Sequence, residues 1–261
     1  MKYGIRFDGF SEFKKGVKPD PTNVKTRRLC LLDWIARHKF STRIVLQKLL
    51  RFETANAFSR YLNEQVRLGY IKKHASGQVV GRQVIMLRAK GIEYLQQYID
   101  EPIYYSTDFS KLSFQQINHD VLIQIMVLKL AYAGKITDYE SEVEFRNNYN
   151  ARIHDPDSEE KRVATKFPDG IVTLRGGTRA AIEVETTPKK HQRYLNIFRS
   201  HGRMLSAGKY DIVMYFSPNH TIANLLSKQI KYRDDKSCFK VEIVKAIYET
   251  VYGIKDAQVI L

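Results

Sequence analysis

Only two cysteines, Cys30 and Cys238, occur among the 261 residues, and they belong to no CxxC or Cys/His cluster. This excludes a disulfide framework and a structural zinc site. Long apolar runs are also missing. The longest, Val121 to Ala133, is interrupted by Gln124 and Lys129, and the opening MKYGIRFDGF has no continuous apolar core. Neither a membrane span nor a secretory leader is expected, and a reduced, cytoplasmic protein is the resulting expectation. Acidic charge is scarce in the first third: residues 1–90 hold 20 Lys and Arg against 6 Asp and Glu, whereas residues 91–261 hold 23 against 22. The net charge of +15 is therefore concentrated at one end. Clustered cations gain affinity by releasing counterions from phosphates. Nucleic acid is the leading partner, with a basic solubilising surface or an anionic membrane surface as alternatives.

The remaining composition, 43% apolar and 11% aromatic, suffices for two modest domains with their own cores. After an N-terminal arm, residues 1–25, the segment TRRLCLLDWIARH (26–38) predicts a first packing helix. Ser41 reads as the N-cap of a short second helix, and a third is expected from Thr54 to Leu68. On that third helix Phe58, Tyr61, Leu62 and Val66 take packing positions, while Asn56, Ser59, Arg60, Asn63 and Arg67 form a polar stripe. Asn and Arg bond base edges bidentately, so the stripe suits a major groove; an ordinary solvated face has the same pattern. Gly69 stops the helix. Two short strands follow, Tyr70 to His74 and Gln83 to Leu87, making a wing that carries Lys72, Lys73, Arg82 and Arg88 as phosphate contacts. A closing helix over 90–98 completes a winged helix-turn-helix domain, residues 26–99. The Pro-containing segment 100–113 reads as a linker to a second domain, 114–261.

That second domain begins with a long apolar helix, Phe114 to Ala133, and the alternation in ITDYESEVEFR predicts a half-buried strand carrying Glu142 and Glu144. Two further strands, FPDGIVTL and RAAIEVE, flank the sequence GGT. With Gly176, Gly177 and Thr178 as a three-residue loop, Val172 opposes Ile182 and Leu174 opposes Ala180. The same register sets Asp169 opposite Glu185 and Ile171 opposite Glu183, gathering three carboxylates at one end of the other face. Carboxylates so close repel unless a cation neutralises them, and all-oxygen ligation suits Mg²⁺ or Mn²⁺. Residues 161–210 hold 11 Lys and Arg against only these three acids. Beyond them, Thr187 and Pro188 predict a helix start, with Lys189, Lys190 and Arg193 in or near its first turn. Those cations are expected either to meet a phosphate at the helix N-terminus or to form plain basic surface. The strand KYDIVMYF, the helix TIANLLSKQI and the strand CFKVEIVKA follow.

Pro168, Asp169, Glu183, Val184 and Glu185 resemble the PD-(D/E)xK nuclease motif, with Glu where the third-position Lys usually stands. Set on an αβββαβ order behind a winged helix, the chain is similar to the replication-relaxation family and to MOBC-type plasmid mobilisation relaxases over about residues 26 to 217. The resemblance implies an N-terminal winged helix-turn-helix followed by a restriction-endonuclease-like αβββαβ core, of α+β or α/β class. It implies metal ligation by Asp169, Glu183 and Glu185, with Lys189 replacing the displaced lysine and His119 on the first core helix binding metal or orienting a phosphate. The implied activity is metal-dependent, site-specific nicking of double-stranded origin DNA, with relaxosome accessory and coupling proteins as partners. No two of the seven histidines are spaced two apart, and none of the 16 tyrosines, Tyr3 and Tyr194 included, stands out as a nucleophile. Attack by activated water is the expected mechanism. The competing readings are a DNA-binding replication or transcription regulator with an inactive nuclease-like domain, and a double-strand endonuclease.

Overall fold

Val24–His38 carries Leu29, Leu31, Leu32, Trp34 and Ile35, which leave little of a helix surface polar. The segment forms α1 in the computed structural model, which describes residues 20–75, 83–100, 102–103, 105, 108–111, 113–154 and 166–244. A helix apolar around most of its circumference needs cover on several sides, and all five residues are buried. The cover comes from β1 (Ser41–Thr42), β3 (Gln83–Leu87) and α4 (Ala89–Gln96). Between them lie α2 (Arg43–Leu49), α3 (Ala55–Arg67) and β2 (Ile71–Ala75). The three strands form an antiparallel sheet in the order β1-β3-β2, with Ser41 opposite Ile85 and Ile71 opposite Leu87.

Local chemistry sets these boundaries. Thr54 caps α3 by accepting from the Ala57 N–H at 3.2 Å, satisfying a donor that the first turn leaves open. At the other end Gly69 has φ +81, and the Tyr70 N–H reaches back to the Gln65 carbonyl at 3.1 Å and the Gly69 N–H to the Val66 carbonyl at 3.0 Å, a glycine-dependent Schellman stop. Ser41 is not the N-cap expected of it. It lies in β1, its hydroxyl donates to Gln124 Oε1 at 2.7 Å, and Thr42 holds the cap position without a side-chain bond. Residues 76–82, expected to belong to a wing and including Arg82, lie outside the described residues, as do Tyr3 and the rest of 1–19.

The long helix α5 (Phe114–Tyr132) follows. Its buried Gln124 accepts from Trp34 Nε1 at 2.9 Å and donates to the Phe40 carbonyl at 3.1 Å. The described residues divide into two units between Leu128 and Lys129, inside α5 rather than in 100–113. The reason is packing. Tyr105 Oη accepts from the Leu87 N–H at 3.0 Å, and Phe109 stacks on His74 with ring centroids 4.4 Å apart.

The C-terminal unit contains β4 (Ile136–Ser141), α6 (Glu142–His154), β5 (Gly170–Leu174), β6 (Arg179–Val184), α7 (His191–Ser206), β7 (Ile212–Ser217), α8 (His220–Lys231) and β8 (Phe239–Ile243). Its sheet runs β4-β5-β6-β7-β8, antiparallel through β6 and parallel from β6 to β8. The expected strand over Glu142 and Glu144 is a helix instead. Ser141 and Glu144 make a reciprocal capping box: the Ser141 N–H donates to Glu144 Oε2 at 2.8 Å, and the Glu144 N–H to Ser141 Oγ at 3.3 Å. Glu142 pairs with Arg146 one turn on.

The β5–β6 register also differs from expectation. Ile171 opposes Ala181 and Val172 opposes Ala180, a shift of two residues. The loop is Arg175–Gly177, because Gly177 at φ +85 supplies the left-handed residue and the Leu174 N–H donates to the Thr178 carbonyl at 2.8 Å. A shift of two preserves which residues share a face. Neither face is open, however. Ile171 and Ala181 pack with Phe145, Tyr149, Tyr194, Phe198 and Tyr215 in one core, and Val172, Ala180 and Ile182 on the reverse are fully buried. Eight α-helices and two sheets among the described residues make this a mixed α+β chain. Among those residues no helix is long and apolar enough to cross a membrane.

Candidate functional site

Asp169 immediately precedes β5. Its N–H donates to the Ile182 carbonyl at 3.0 Å and its Oδ2 accepts from the Val184 N–H at 2.7 Å. The carboxylate is thereby pinned across the hairpin to the end of β6, where Glu183 and Glu185 lie. Both glutamates are buried, their side chains 8% and 5% exposed. The odd-numbered face of β6 continues from Ala181 through Glu183 into the aromatic core, so burial follows from strand alternation.

A buried carboxylate requires compensation, and each glutamate has a lysine. Lys166 Nζ bonds Glu183 Oε2, and Lys189 Nζ bonds Glu185 Oε2. On its other side Glu183 Oε1 lies 3.2 Å from His201 Nε2, though the pair is not aligned as a hydrogen bond. His201 Nδ1 in turn meets Tyr210 Oη at 2.7 Å. Burial alone would raise the Glu183 pKa; the Lys166 charge and His201 outweigh it and bring it down to about 2. For Lys166, burial alone would lower the ammonium pKa, but the charges of Glu183 and Asp169 overcome this and raise it. Tyr215, opposite Glu183 in the parallel ladder, is pushed well up by burial and by the nearby carboxylates. Glu183 is therefore ionised at neutral pH, and its phenolic neighbour is protonated.

Lys189 is not in a helical first turn. Residues 187–190 are extended or bent, α7 starts at His191 and Lys190 is its N-cap residue. Lys189 is held between the Glu185 carboxylate and Tyr194, whose Oη accepts from the Lys189 N–H at 3.2 Å. These two contacts keep the stretch out of the helix, so Thr187 and Pro188 do not cap it. Lys190 and Arg193 are exposed at the start of α7.

The sites thus divide. Asp169, Glu183, Glu185 and Lys189 come together in the C-terminal unit. His119 lies on the part of α5 that belongs to the N-terminal unit, with Nδ1 3.5 Å from Asp120 Oδ1. On α3, Asn56, Arg60, Asn63 and Arg67 are exposed as a stripe, whereas Ser59 is half-buried and its hydroxyl donates to the Ala55 carbonyl at 2.7 Å. Arg67 is chelated by Glu64 at 2.7 and 2.8 Å, and Lys73 Nζ donates to Asn63 Oδ1 at 2.6 Å. Lys72 is half-buried on β2.

Sequence reasoning missed Lys166, His201 and Tyr210. Lys166 stands two residues before Pro168. His201 continues the buried face of α7 through Tyr194, Ile197 and Phe198, a spacing that marks a core position rather than a ligand. Among the described residues no three His, Cys, Asp or Glu side chains are grouped to hold one metal ion. Lys166 and Lys189 neutralise the two glutamates, and Asp169 accepts from the Val184 N–H. The donor chemistry still suits a hard divalent cation: all-oxygen carboxylates, and a buried Glu183 Oε1 without an aligned donor. Compared with family models, with curated proteins and with solved structures, the chain matches none.

Proposed function

We propose that the protein is a metal-dependent, site-specific DNA nicking endonuclease of the mobilisation-relaxase type. The observation that supports this reading is the placement of Asp169, Glu183 and Glu185 at one end of β5 and β6, with Lys166 and Lys189 bonded to the two glutamates. The sheet order, with crossover helices α7 and α8, supports a restriction-endonuclease-like core. Three helices followed by the β2–β3 pair, with an exposed Asn/Arg stripe on α3, support a winged helix that locates the DNA site.

In this reading Asp169, Glu183 and Glu185 would hold Mg²⁺ or Mn²⁺, which would supply polarisation of a phosphoryl oxygen and a lowered pKa for an attacking water. The chain's own groups do the rest. Lys166 keeps Glu183 ionised and, with a third of its side chain exposed, can also face a phosphate. His201, held by Tyr210, lies against the other oxygen of Glu183 and would add to its electrostatic stabilisation. Lys189 performs the corresponding service for Glu185. Relaxosome accessory and coupling proteins belong to the same proposal.

The test is conversion of supercoiled DNA carrying the native flanking region to open circles in Mg²⁺ or Mn²⁺. Wild type is compared with Asp169→Asn and Glu183→Gln, each checked by thermal unfolding. Nicking by the wild type that both variants lose, with DNA binding retained, is the expected result. The engagement of both glutamates by lysines favours one second reading, a DNA-binding replication or transcription regulator whose nuclease-like domain does not cut. Specific binding with no cutting in either metal would select it.

A further inference from the structure

One face of α7 is lined by cations that the carboxylate site does not use. A groove of about 520 Å³ is bounded by Lys166, Arg193, Asn196, Ile197, Arg199 and Arg203, and none of these lining residues is acidic. Arg193, Arg199 and Arg203 are exposed, and among the described residues none of them pairs with a carboxylate. Arg199 has only a neutral partner, Asn196 Oδ1 at 3.3 Å. Guanidinium groups on a common wall with no carboxylate beside them among the described residues repel one another, and an anion lying in the groove removes that repulsion.

The arrangement has the dimensions of a polyanion track. Arg193 to Arg203 spans ten residues, about 15 Å along a helix. A strand of duplex DNA presents a phosphate about every 3.4 Å of its axis, so the track covers several consecutive phosphates. Lys166 joins the groove to the acids, because it lines the one and bonds Glu183 in the other. Ile197 is the single apolar residue in the lining, so the groove has little to offer a lipid chain.

We propose that the α7 groove binds the phosphate backbone of duplex DNA through Arg193, Arg199 and Arg203 and delivers it to Lys166 beside Glu183. The proposal rests on the nicking reading for what happens at Glu183, but the binding is measurable without it. Affinity for a random-sequence 20-base-pair duplex is followed as a function of salt, with EDTA present, for wild type, Arg199→Ala/Arg203→Ala and the control Lys228→Ala/Lys231→Ala. The control removes the same charge from the exposed side of α8.

Each phosphate contact contributes about 0.9 to the slope of log affinity against log salt. Loss of two is expected to lower the slope by about 1.8, so between 50 and 200 mM salt the wild type loses about 12-fold more affinity than the arginine variant. The control should leave the slope near the wild-type value. An unchanged slope in the arginine variant overturns the proposal. So does an equal fall in the control, which would mark a net-charge effect, or a wild type that binds only anionic phosphatidylserine vesicles. A protein that never nicks but shows the expected slopes removes the nuclease reading and leaves the groove. One that nicks normally with unchanged slopes does the reverse.

Discussion

The ion pair at the centre of the site makes a quantitative prediction for Lys166→Met. The folded protein holds Glu183 at about 2 against an ordinary 4.5, and each pKa unit corresponds to about 1.4 kcal/mol, so the surroundings stabilise the ionised form by roughly 3 kcal/mol. A group whose pKa is depressed by folding contributes its full stability above its unfolded pKa. That contribution is lost as pH falls from about 4.5 through about 2. With Lys166 gone, burial dominates and the Glu183 pKa moves up, leaving a poorly compensated charge at pH 7. Removing one partner of a buried pair costs about 3–5 kcal/mol. Because Lys166 keeps 34% of its side chain exposed, water replaces part of it, and a loss of about 2–3 kcal/mol is expected. The penalty should shrink as pH falls from 7 to 3, since the variant can protonate Glu183. The double variant Lys166→Met/Glu183→Gln should recover part of the loss at pH 7. Trp34 is the only tryptophan and lies in the other unit, so indole fluorescence reports the wrong half. Urea unfolding followed by far-UV circular dichroism, with hydrogen exchange at the β6 amides, reads the right one. A penalty below about 1 kcal/mol, or one that does not change between pH 7 and pH 3, refutes this account of the pair.

Trp34 is the natural reporter for the N-terminal unit. Gln124→Leu strands Trp34 Nε1, Ser41 Oγ and the Phe40 carbonyl, which Gln124 now satisfies; at about 1–3 kcal/mol for each buried group left unpaired, a loss of about 2–4 kcal/mol in urea unfolding by tryptophan fluorescence is expected. Gly91→Ala places a Cβ 2.2 Å from the Tyr70 carbonyl oxygen, which also accepts the Arg88 N–H. A backbone atom cannot swing aside as a side chain would, so the cost should reach or exceed the top of the usual overpacking range of about 1–3 kcal/mol. A melting temperature within 1 °C of wild type would contradict that contact.

The elements read correctly from sequence are those whose signal is local and repeated. α1, α3 and α5 show apolar spacing over 13 to 19 residues, and Thr54 and Gly69 mark the ends of α3 through their own backbone chemistry. Failures occurred where two local signals competed. Residues 139–146 alternate like a strand, yet Ser141 and Glu144 stand at capping-box spacing, and the box prevailed because the two buried aromatics that follow, Phe145 and Tyr149, are four apart as a helix requires. The hairpin offered Gly176 and Gly177 as equal turn residues. Only the need for one left-handed residue at the last loop position, met by Gly177, selects the register. Parity survived that shift, which is why Asp169 and Glu183 still gather although their predicted opposite numbers were wrong.

The site was legible as three acids and illegible as a charge-balanced set, because compensation comes from residues that topology alone brings near. Lys166 is 17 residues from Glu183 and His201 is 18 beyond it, and no periodicity links them. Their presence changes the electrostatic argument. Three isolated carboxylates demand a metal; three carboxylates with two lysines carry a net charge of only −1, and one of the three, Asp169, is further stabilised by the Val184 N–H. A structural ion-pair cluster of that charge is self-sufficient, so the acids cease to imply a cation by themselves. It is also a poor partner for a phosphodiester, which carries −1 as well. Under the proposed nicking reading a divalent cation brings the same five groups to +1, the charge that one phosphodiester cancels.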